Sequence, residues 1–506
     1  MKNFVKKNFY LYLGIFILGI LSSFSLPPYN YFFFNFLVFP ILLYILINIT
    51  FDRFNNFLIG WIFGFGYFIS NLYWIIHSLT FDQNFKILIP FALILIPSFL
   101  ALFFGLITLF TSFFVLKNKI SSIFIFSSIF AFVEFLRGFI LGGFPWNLTA
   151  FSLTNYLSSI QILSFIGTYS LNLLSITIFL LPSVIFFQYK NIIKVLIIAS
   201  GLFLVIINIG YGNYNIDQFS KKNYNYLDTT IRIISPNIPI ERFLKNQDTK
   251  KNIYNLINLS NPEKSKKTIF IFPEGIISGI YSNELKFYKK IFEDNYNSNH
   301  KIIFGINNYT DGKIFNSLII IDNKTNELFT YNKNRLVPFG EFLPLENLFK
   351  KLGLKKITQG YQSFSPDNKR DIIHLSQLSF LPLICYEIIY SGNLNLYKKD
   401  YDFILNISED GWFGKSVGPE QHLSHSIFRS IEEGKNVIRS TNNGISAFID
   451  PKGNIIKKIS EKGYIDHKSF KYVDKTYFAK NGNKIFFYFI LFYIILIFFL
   501  KIRENK

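Results

Sequence analysis

Residues 9–50 contain no Asp, Glu, Lys or Arg, and comparable apolar runs recur until about Gly210. A helix needs about 20 mostly apolar residues to cross a hydrocarbon core of roughly 30 Å. Seven segments meet that length before mid-chain: 9–26, 31–50, 56–79, 87–116, 121–141, 159–187 and 192–210, with an eighth at 486–500. Pro90, Pro97 and Pro182 interrupt the hydrogen-bond ladder, so the longest spans should tilt or break. Near Gly212 the pattern changes to short β-branched runs bounded by turn residues in a background of Lys, Asn, Asp and Glu. This predicts strands at 229–235, 268–272, 301–306, 317–322, 372–375, 380–385, 403–407 and 445–450, a hairpin over 318–331, and helices at 248–259, 282–294 and 420–433. The expected organisation is a seven-span domain over 1–211, an α/β layered domain over 212–483, and a last span with its tail over 484–506.

Charge orients the spans. The chain carries 52 Lys and Arg against 32 Asp and Glu, a net charge of +20. With the N-terminus in the cytoplasm, the inside segments carry Lys2, Lys6 and Lys7, then Arg53, then Lys117 and Lys119, then Lys190 and Lys194, while the outside connections hold only Lys86 and Arg137. That is the positive-inside asymmetry. Seven crossings then put everything after Gly210 outside, and the eighth returns Lys501, Arg503 and Lys506 to the cytoplasm. The first span is expected to stay attached, since no small-residue cleavage site precedes Leu26-Pro27-Pro28. A basic balance suggests nucleic acid only where the positive residues form a patch on a soluble domain, and no such patch is read from this sequence. The aromatic fraction of 19% excludes a disordered chain, and the single cysteine, Cys385, excludes an intramolecular disulfide and an all-cysteine metal cage.

Three stretches carry candidate chemistry. Glu274 follows an apolar strand in Phe-Pro-Glu-Gly, Lys333 precedes a Pro- and Gly-containing loop, and Cys385 ends another apolar strand. Strand ends are where α/β proteins place reactive groups. Intervals of 59 and 52 residues let the three converge only if their strands are neighbours. Together they suit acyl transfer through a thioester. An ordinary thiol near pKa 8.5 is a few per cent thiolate at neutral pH and needs a base and a positive neighbour. Glu274 would take the thiol proton, and Lys333 would stabilise the thiolate and the oxyanion. Singly, each has a plainer reading: a small buried hydrophobe, a turn residue and a solvated surface charge. His422 and His425, three apart on a predicted helix, lack a third ligand and point to no metal site.

The words around these residues are specific. Phe-Pro-Glu-Gly at 272–275, Tyr-Asn-Lys-Asn at 331–334, Leu-Val-Pro-Phe-Gly-Glu-Phe-Leu-Pro at 336–344, Ile-Cys-Tyr-Glu at 384–387, Asp-Gly-Trp-Phe-Gly at 410–414 and Arg-Ser-Thr-Asn-Asn-Gly-Ile-Ser at 439–446 resemble the Glu-Lys-Cys sites of the nitrilase, or carbon-nitrogen hydrolase, superfamily. With eight spans, Glu-Phe-Leu-Arg-Gly at 134–138 and Gly-Phe-Pro-Trp at 143–146, the whole chain resembles the bacterial apolipoprotein N-acyltransferase family. The resemblance implies a bundle of about eight transmembrane helices carrying a nitrilase-like αββα sandwich. It implies an enzyme of the inner membrane that works without cofactor or metal, its catalytic domain periplasmic and both termini cytoplasmic. A phospholipid would donate an acyl chain to Cys385, and the chain would pass to the α-amino group of a diacylglyceryl-cysteine at an apolipoprotein N-terminus. Its partners would be those two lipids and the bilayer, with no nucleic acid, and the protein would act as a monomer. By motif position Glu274 is the base, Lys333 the oxyanion stabiliser and Cys385 the nucleophile. Glu341 and Glu387 are supporting carboxylates, the Tyr386 backbone N–H is an oxyanion donor, and Trp412 lines the acyl entrance.

Two departures accompany the match. Glu409 stands in Ser-Glu-Asp-Gly-Trp where the family often has an amide, which places a charge beside the substrate region that either disturbs the site or pairs with a cation. A tryptophan common after the Asn-Ile-Pro at 237–239 is missing, with Phe243 as its candidate substitute. Residues 345–356 alternate Leu and Phe with Lys as a surface-lying arm or an ordinary surface helix would. Glu134 and Arg137, three apart, suggest an ion pair for a lipid headgroup, for domain docking, or for anchoring the topology. Two other functions fit parts of the pattern: a membrane-tethered amidase that hands the acyl group to water, and a noncatalytic lipid-binding scaffold in which Cys385 is core. Eight spans exceed what a tether needs.

Overall fold

The computed structural model describes residues 2–49, 52–243, 248–342, 363–395 and 399–504. The amphipathic stretch 345–356 lies outside the described residues. The chain forms two compact units, one of Met1–Ile76, Leu88–Ser220 and Thr476–Lys506, the other of His77–Ile87 and Lys221–Lys475.

The first unit is helical. Each predicted span overlaps a helix, with shifted bounds: Lys2–Ser23, Asn35–Asn48, Arg53–Leu72, Ile89–Phe114, Ser121–Arg137, Leu163–Leu180, Asn191–Ser220 and Lys484–Glu504. Among the described residues, five helical stretches are long and apolar enough to cross a membrane: Arg53–Leu79, Gln83–Phe114, Leu163–Phe186, Asn191–Ser220 and Lys484–Glu504. Asp52 caps Arg53–Leu72 by accepting from the Asn55 N–H at 2.7 Å. The same helix meets Ile89–Phe114 so closely that a Cβ on Gly60 would lie 2.1 Å from the Phe104 carbonyl oxygen, the small-residue contact that membrane helices use. Asn191–Ser220 runs past the composition change at Gly212, and its Ile192, Leu196, Phe203 and Ile206 are exposed, as lipid-facing residues are.

Glu134 and Arg137 do pair, at 3.1 Å, but both side chains are fully buried. Asn172 donates to Glu134 at 2.6 Å and in turn accepts from the Ala150 N–H at 3.0 Å, while Arg137 donates to the Phe144 carbonyl. The pair therefore ties down the 144–150 loop and presents nothing to a headgroup, because no polar group at this burial is left facing solvent.

The second unit is a pair of β-sheets. The first orders β13 (Gly463–Phe470), β1 (Asn225–Ser235), β2 (Thr268–Ile271), β4 (His300–Thr310), β5 (Lys313–Ile321) and β6 (Glu327–Asn332), with β3 (Ile277–Tyr281) also on β4. The second orders β12 (Ile455–Ile459), β11 (Ser446–Ile449), β10 (Asn436–Asn442), β9 (Phe403–Glu409), β8 (Leu378–Ile384) and β7 (Ile373–Leu375). The central strands β1, β2 and β4, and β8, β9 and β10, run parallel, and the flanking pairs are antiparallel. Both sheet centres are buried on both faces, which accounts for the continuous apolar runs Thr-Ile-Phe-Ile and Phe-Ile-Leu.

The sheets meet where β1 packs on β10, and the Ser440 hydroxyl donates across the gap to the carbonyls of Ile271, at 3.1 Å, and Ile234, at 3.3 Å. Helix Thr249–Ser260 covers the first sheet with Ile253, Leu256 and Ile257 against Phe270, Phe304 and Ile319, and helix Gly418–Glu433 packs on β10 and β11. The result is an αββα sandwich. Four strands were not anticipated: β3, β10, β12 and β13.

Candidate active site

The C-terminal ends of β2, β6, β8 and β9 converge on one polar cluster. Glu274 leaves β2 on a turn in which Gly275 has φ +53°. That turn runs against β4: the Gly305 N–H donates to the Pro273 carbonyl at 3.0 Å, and a Cβ on Gly305 would sit 2.5 Å from the Glu274 Cα. Only glycine at 305 lets the two backbones approach so closely. Lys333 follows β6, its N–H bonded to the Asn316 carbonyl of β5 at 2.9 Å.

The charged groups share partners. The Lys333 ammonium donates to Oε1 of Glu274 at 3.1 Å and to Oε1 of Glu341 at 3.0 Å, and the Asn316 amide donates to the same two oxygens at 2.7 Å each. Oε2 of Glu274 accepts from the Glu409 backbone N–H at 2.9 Å, and Oε2 of Glu341 from the Val337 N–H at 2.8 Å. Lys333 is 1% exposed. Burial alone would pull its ammonium down, but Glu274 and Glu341 outweigh burial and hold it well above the ordinary lysine range.

Cys385 comes from the other sheet. It follows β8 with φ +50°, a left-handed backbone that side chains rarely adopt and that surrounding contacts must hold. The thiol is 7% exposed. Burial pushes it up, the Glu274 carboxylate adds to this, and Lys333 pulls the other way with a hydrogen bond from Ser408; the net direction is strongly upward. At rest the sulfur is a neutral thiol beside a carboxyl group and a cation, both near enough to act on its charge. Tyr386, next in the chain, is buried, with its ring edge-on to Tyr390 at 5.4 Å.

Glu387 does not reach the Lys333 ammonium. Its fully buried carboxylate accepts from the Ile384 N–H at 2.8 Å, the Asn334 N–H at 2.9 Å, the Arg335 N–H at 3.2 Å and the Tyr331 hydroxyl at 2.8 Å, and pairs with Arg370 at 2.5 Å. It thus joins the strand that ends in Cys385 to the backbone on either side of Lys333. Glu409 is also buried: it pairs with Arg242 at 2.5 Å and accepts from Gly411 N–H and the Asn442 amide at 2.8 Å each. Burial, opposed chiefly by Arg242, leaves its carboxyl above the usual range. Trp412 is partly exposed, stacked on Phe243 at 5.8 Å and 8° and met edge-on by Phe81 at 5.9 Å.

A second network lies behind Cys385. Asp410 accepts from Ser408 at 2.7 Å and pairs with Arg439 at 2.8 Å and with His422 at 3.0 Å; Arg439 also donates to Asn406. Asn406 and the His422 ring both hydrogen-bond the backbone of Cys385. Burial would raise Asp410, but Arg439 and His422 hold it at about 2; burial and Arg439 keep the His422 ring below its ordinary range. His422, considered above as a metal ligand, is thus part of the frame that holds the turn at Cys385. The signal for this network in the sequence was the polar run Arg-Ser-Thr-Asn at 439–442, whose side chains are fully buried. Among the described residues no group of three or more His, Cys, Asp or Glu is arranged to hold a metal ion.

Comparison with known proteins matches both parts of the chain. The family model for the apolipoprotein N-acyltransferase N-terminal domain matches residues 18–181, and that for carbon-nitrogen hydrolases matches residues 231–465. Among solved structures, a CN-hydrolase superfamily protein from Xanthomonas campestris is similar at 14% identity and a TM-score of 0.34, covering 48% of this chain and 91% of its own. An amidase from Nesterenkonia sp. AN1 is similar at 11% identity and a TM-score of 0.34, covering 50% of this chain and 96% of its own. The apolipoprotein N-acyltransferase of Rhodopseudomonas palustris is 30% identical over 487 residues, 92% of this chain and 90% of that one. That of Rickettsia prowazekii is 34% identical over 437 residues, 84% of this chain and 85% of that one. Identity of this level, sustained through the helical region and the sandwich alike, makes the chain a member of the apolipoprotein N-acyltransferase family.

Proposed function

We propose that this enzyme moves an acyl chain from a phospholipid to Cys385 and from Cys385 to the α-amino group of a diacylglyceryl-cysteine at an apolipoprotein N-terminus. The observation that carries the reading is the meeting of a neutral buried thiol, a carboxylate and a permanently charged ammonium supplied by two different sheets. As the donor ester arrives, Glu274 takes the Sγ proton and the thiolate attacks the ester carbonyl. Lys333 and the Tyr386 N–H stabilise the resulting oxyanion. Its collapse breaks the ester C–O bond, and the lysophospholipid oxygen leaves with the proton returned by Glu274. In the second half the amine attacks the thioester, Glu274 takes a proton from the amine nitrogen, the amide forms, and the proton goes back to sulfur.

Glu341 orients Lys333, Glu387 holds the Cys385 and Lys333 segments in register, and Trp412 with Phe243 lines the acyl entrance. Glu409, expected at the substrate, is instead buried and paired with Arg242, and so does not line the entrance. The charge asymmetry of the spans favours a periplasmic catalytic domain, 212–483, between the seven-span domain 1–211 and the final span 484–506, with both termini cytoplasmic. A monomer suffices, since one chain supplies every group. A site at the membrane surface spares the acyl chain exposure to water, worth about 0.8 kcal/mol per CH₂.

The test is incubation of the detergent-solubilised protein with labelled phospholipid and a diacylglyceryl peptide, followed by mass spectrometry. An acyl adduct on Cys385 that is lost in Cys385→Ala and chased onto the peptide amine is the expected result. An adduct released only to water would identify an amidase, and product formed without any adduct on sulfur would refute the proposal.

A further inference from the structure

Arg242 takes no part in the steps above, yet it is buried beside the base and its side chain is fully enclosed. Its Nη2 donates to Oε2 of Glu409 at 2.5 Å. The same guanidinium donates to the carbonyl of Gly275, from Nε at 3.4 Å and from Nη2 at 3.3 Å. Gly275 is the residue after Glu274, and Glu409 is the residue whose backbone N–H holds Oε2 of Glu274. The other oxygen, Oε1, belongs to Lys333 and Asn316. One cation therefore fixes both the turn that carries the base and the donor that sets its outer oxygen. The aromatic neighbour completes the arrangement: the guanidinium carbon lies 4.2 Å from the Phe243 ring centre, and Phe243 stacks on Trp412.

We infer that Arg242 is a positioning residue for Glu274, acting through the Gly275 carbonyl on one side and through the Glu409 carboxylate on the other. This rests on the reading of Glu274 as the base that activates Cys385. It also explains the departure at 409. An amide there needs no counter-ion, whereas a carboxylate, buried to 1% exposure, requires one, and Arg242 supplies it while gaining a second grip on the turn. An Asn at 409 would still accept from the Gly411 N–H, two residues on, as Asx turns do.

Two readouts test this on the full-length protein in detergent: the rate at which labelled phospholipid acylates Cys385, with kcat and KM separated, and the rate at which iodoacetamide alkylates Cys385, the one thiol in the chain. The second needs no lipid, so it reports the base even if the acyl-transfer reading fails. Wild-type protein that alkylates but never acylates would overturn that reading alone. Arg242→Ala should slow both reactions by about a hundredfold, the cost of a misplaced catalytic group, with KM within about threefold of wild type. Arg242→Ala combined with Glu409→Asn should recover only part of the loss, because no charge is left unpaired while the hold on the Gly275 carbonyl is still missing. Folded Arg242→Ala protein with the wild-type alkylation rate, or a double variant either no faster than Arg242→Ala or as fast as wild type, would overturn the inference. Should Arg242→Ala not fold, Arg242→Lys serves instead. Its single nitrogen satisfies Glu409 but cannot span both partners, so an intermediate alkylation rate supports the two-sided grip and a wild-type rate overturns it.

Discussion

Replacing Lys333 with Met, which preserves length and removes charge, is the sharpest test of the buried charge cluster. Glu274 and Glu341 both accept from the Asn316 amide nitrogen at 2.7 Å, so their Oε1 atoms lie no farther apart than twice that distance. Lys333 is the cation between them. Without it the two carboxylates repel by about 3 kcal/mol at an effective dielectric near 20, inside the roughly 3–5 kcal/mol range for breaking a buried pair. Lys333→Met should therefore lower thermal stability by about that amount and slow thioester formation by about a hundred- to a thousandfold, the usual loss for an oxyanion stabiliser. The two effects separate in a double variant. Lys333→Met with Glu341→Gln removes the repulsion, so stability should largely return while acylation stays slow. Thermal unfolding in detergent and time-resolved mass spectrometry of Cys385 measure each. Wild-type acylation in Lys333→Met, or a double variant no more stable than the single, would show that the cluster is not electrostatically organised as described.

Three further outcomes follow from other parts of the molecule. Glu387→Gln puts an amide NH₂ against at least one of the donors Ile384, Asn334 and Arg335 and unpairs Arg370, so unfolding should come at lower temperature by an amount worth about 3–5 kcal/mol; an unchanged midpoint would deny its anchoring role. Burial raises Glu433 to about 7, with the Tyr401 hydroxyl hydrogen-bonded to it at 2.9 Å. The folded state then holds that proton more tightly than the unfolded chain, so stability is full below the ordinary carboxylate range and falls as pH climbs towards 7, by up to about 3 kcal/mol. Glu433→Gln should exceed wild type in stability at pH 8 and equal it at pH 4, and equal values at both would contradict the burial effect. Trp412→Ala, removing a ring stacked on Phe243 and met edge-on by Phe81, should raise KM for phospholipid about fivefold with kcat little changed, an aromatic contact being worth about 1 kcal/mol.

The helices and most strands were legible because their apolar runs have one cause, burial. What escaped was structure whose residues answer to the site. Strand β10 reads Asn-Val-Ile-Arg-Ser-Thr-Asn, too polar for a pattern argument, yet every residue is buried because Arg439 serves Asp410 and Ser440 bridges the sheets. Strand β12, Ile-Ile-Lys-Lys-Ile, is an exposed edge whose lysines mask its strand period. Glu274, Lys333 and Cys385 stood out through their neighbours in sequence. Arg242 did not, since nothing local marks a residue whose partner lies 167 positions away.

The two sheets contribute unequal halves of the chemistry: one brings carboxylate and ammonium, the other sulfur. On the proposed reading neither half can transfer an acyl group alone, so a chain whose sheets have not met cannot form the thioester. Acyl transfer then waits on closure of the sandwich, and the same burial that completes the site holds the sulfur as a neutral thiol until a substrate reaches it.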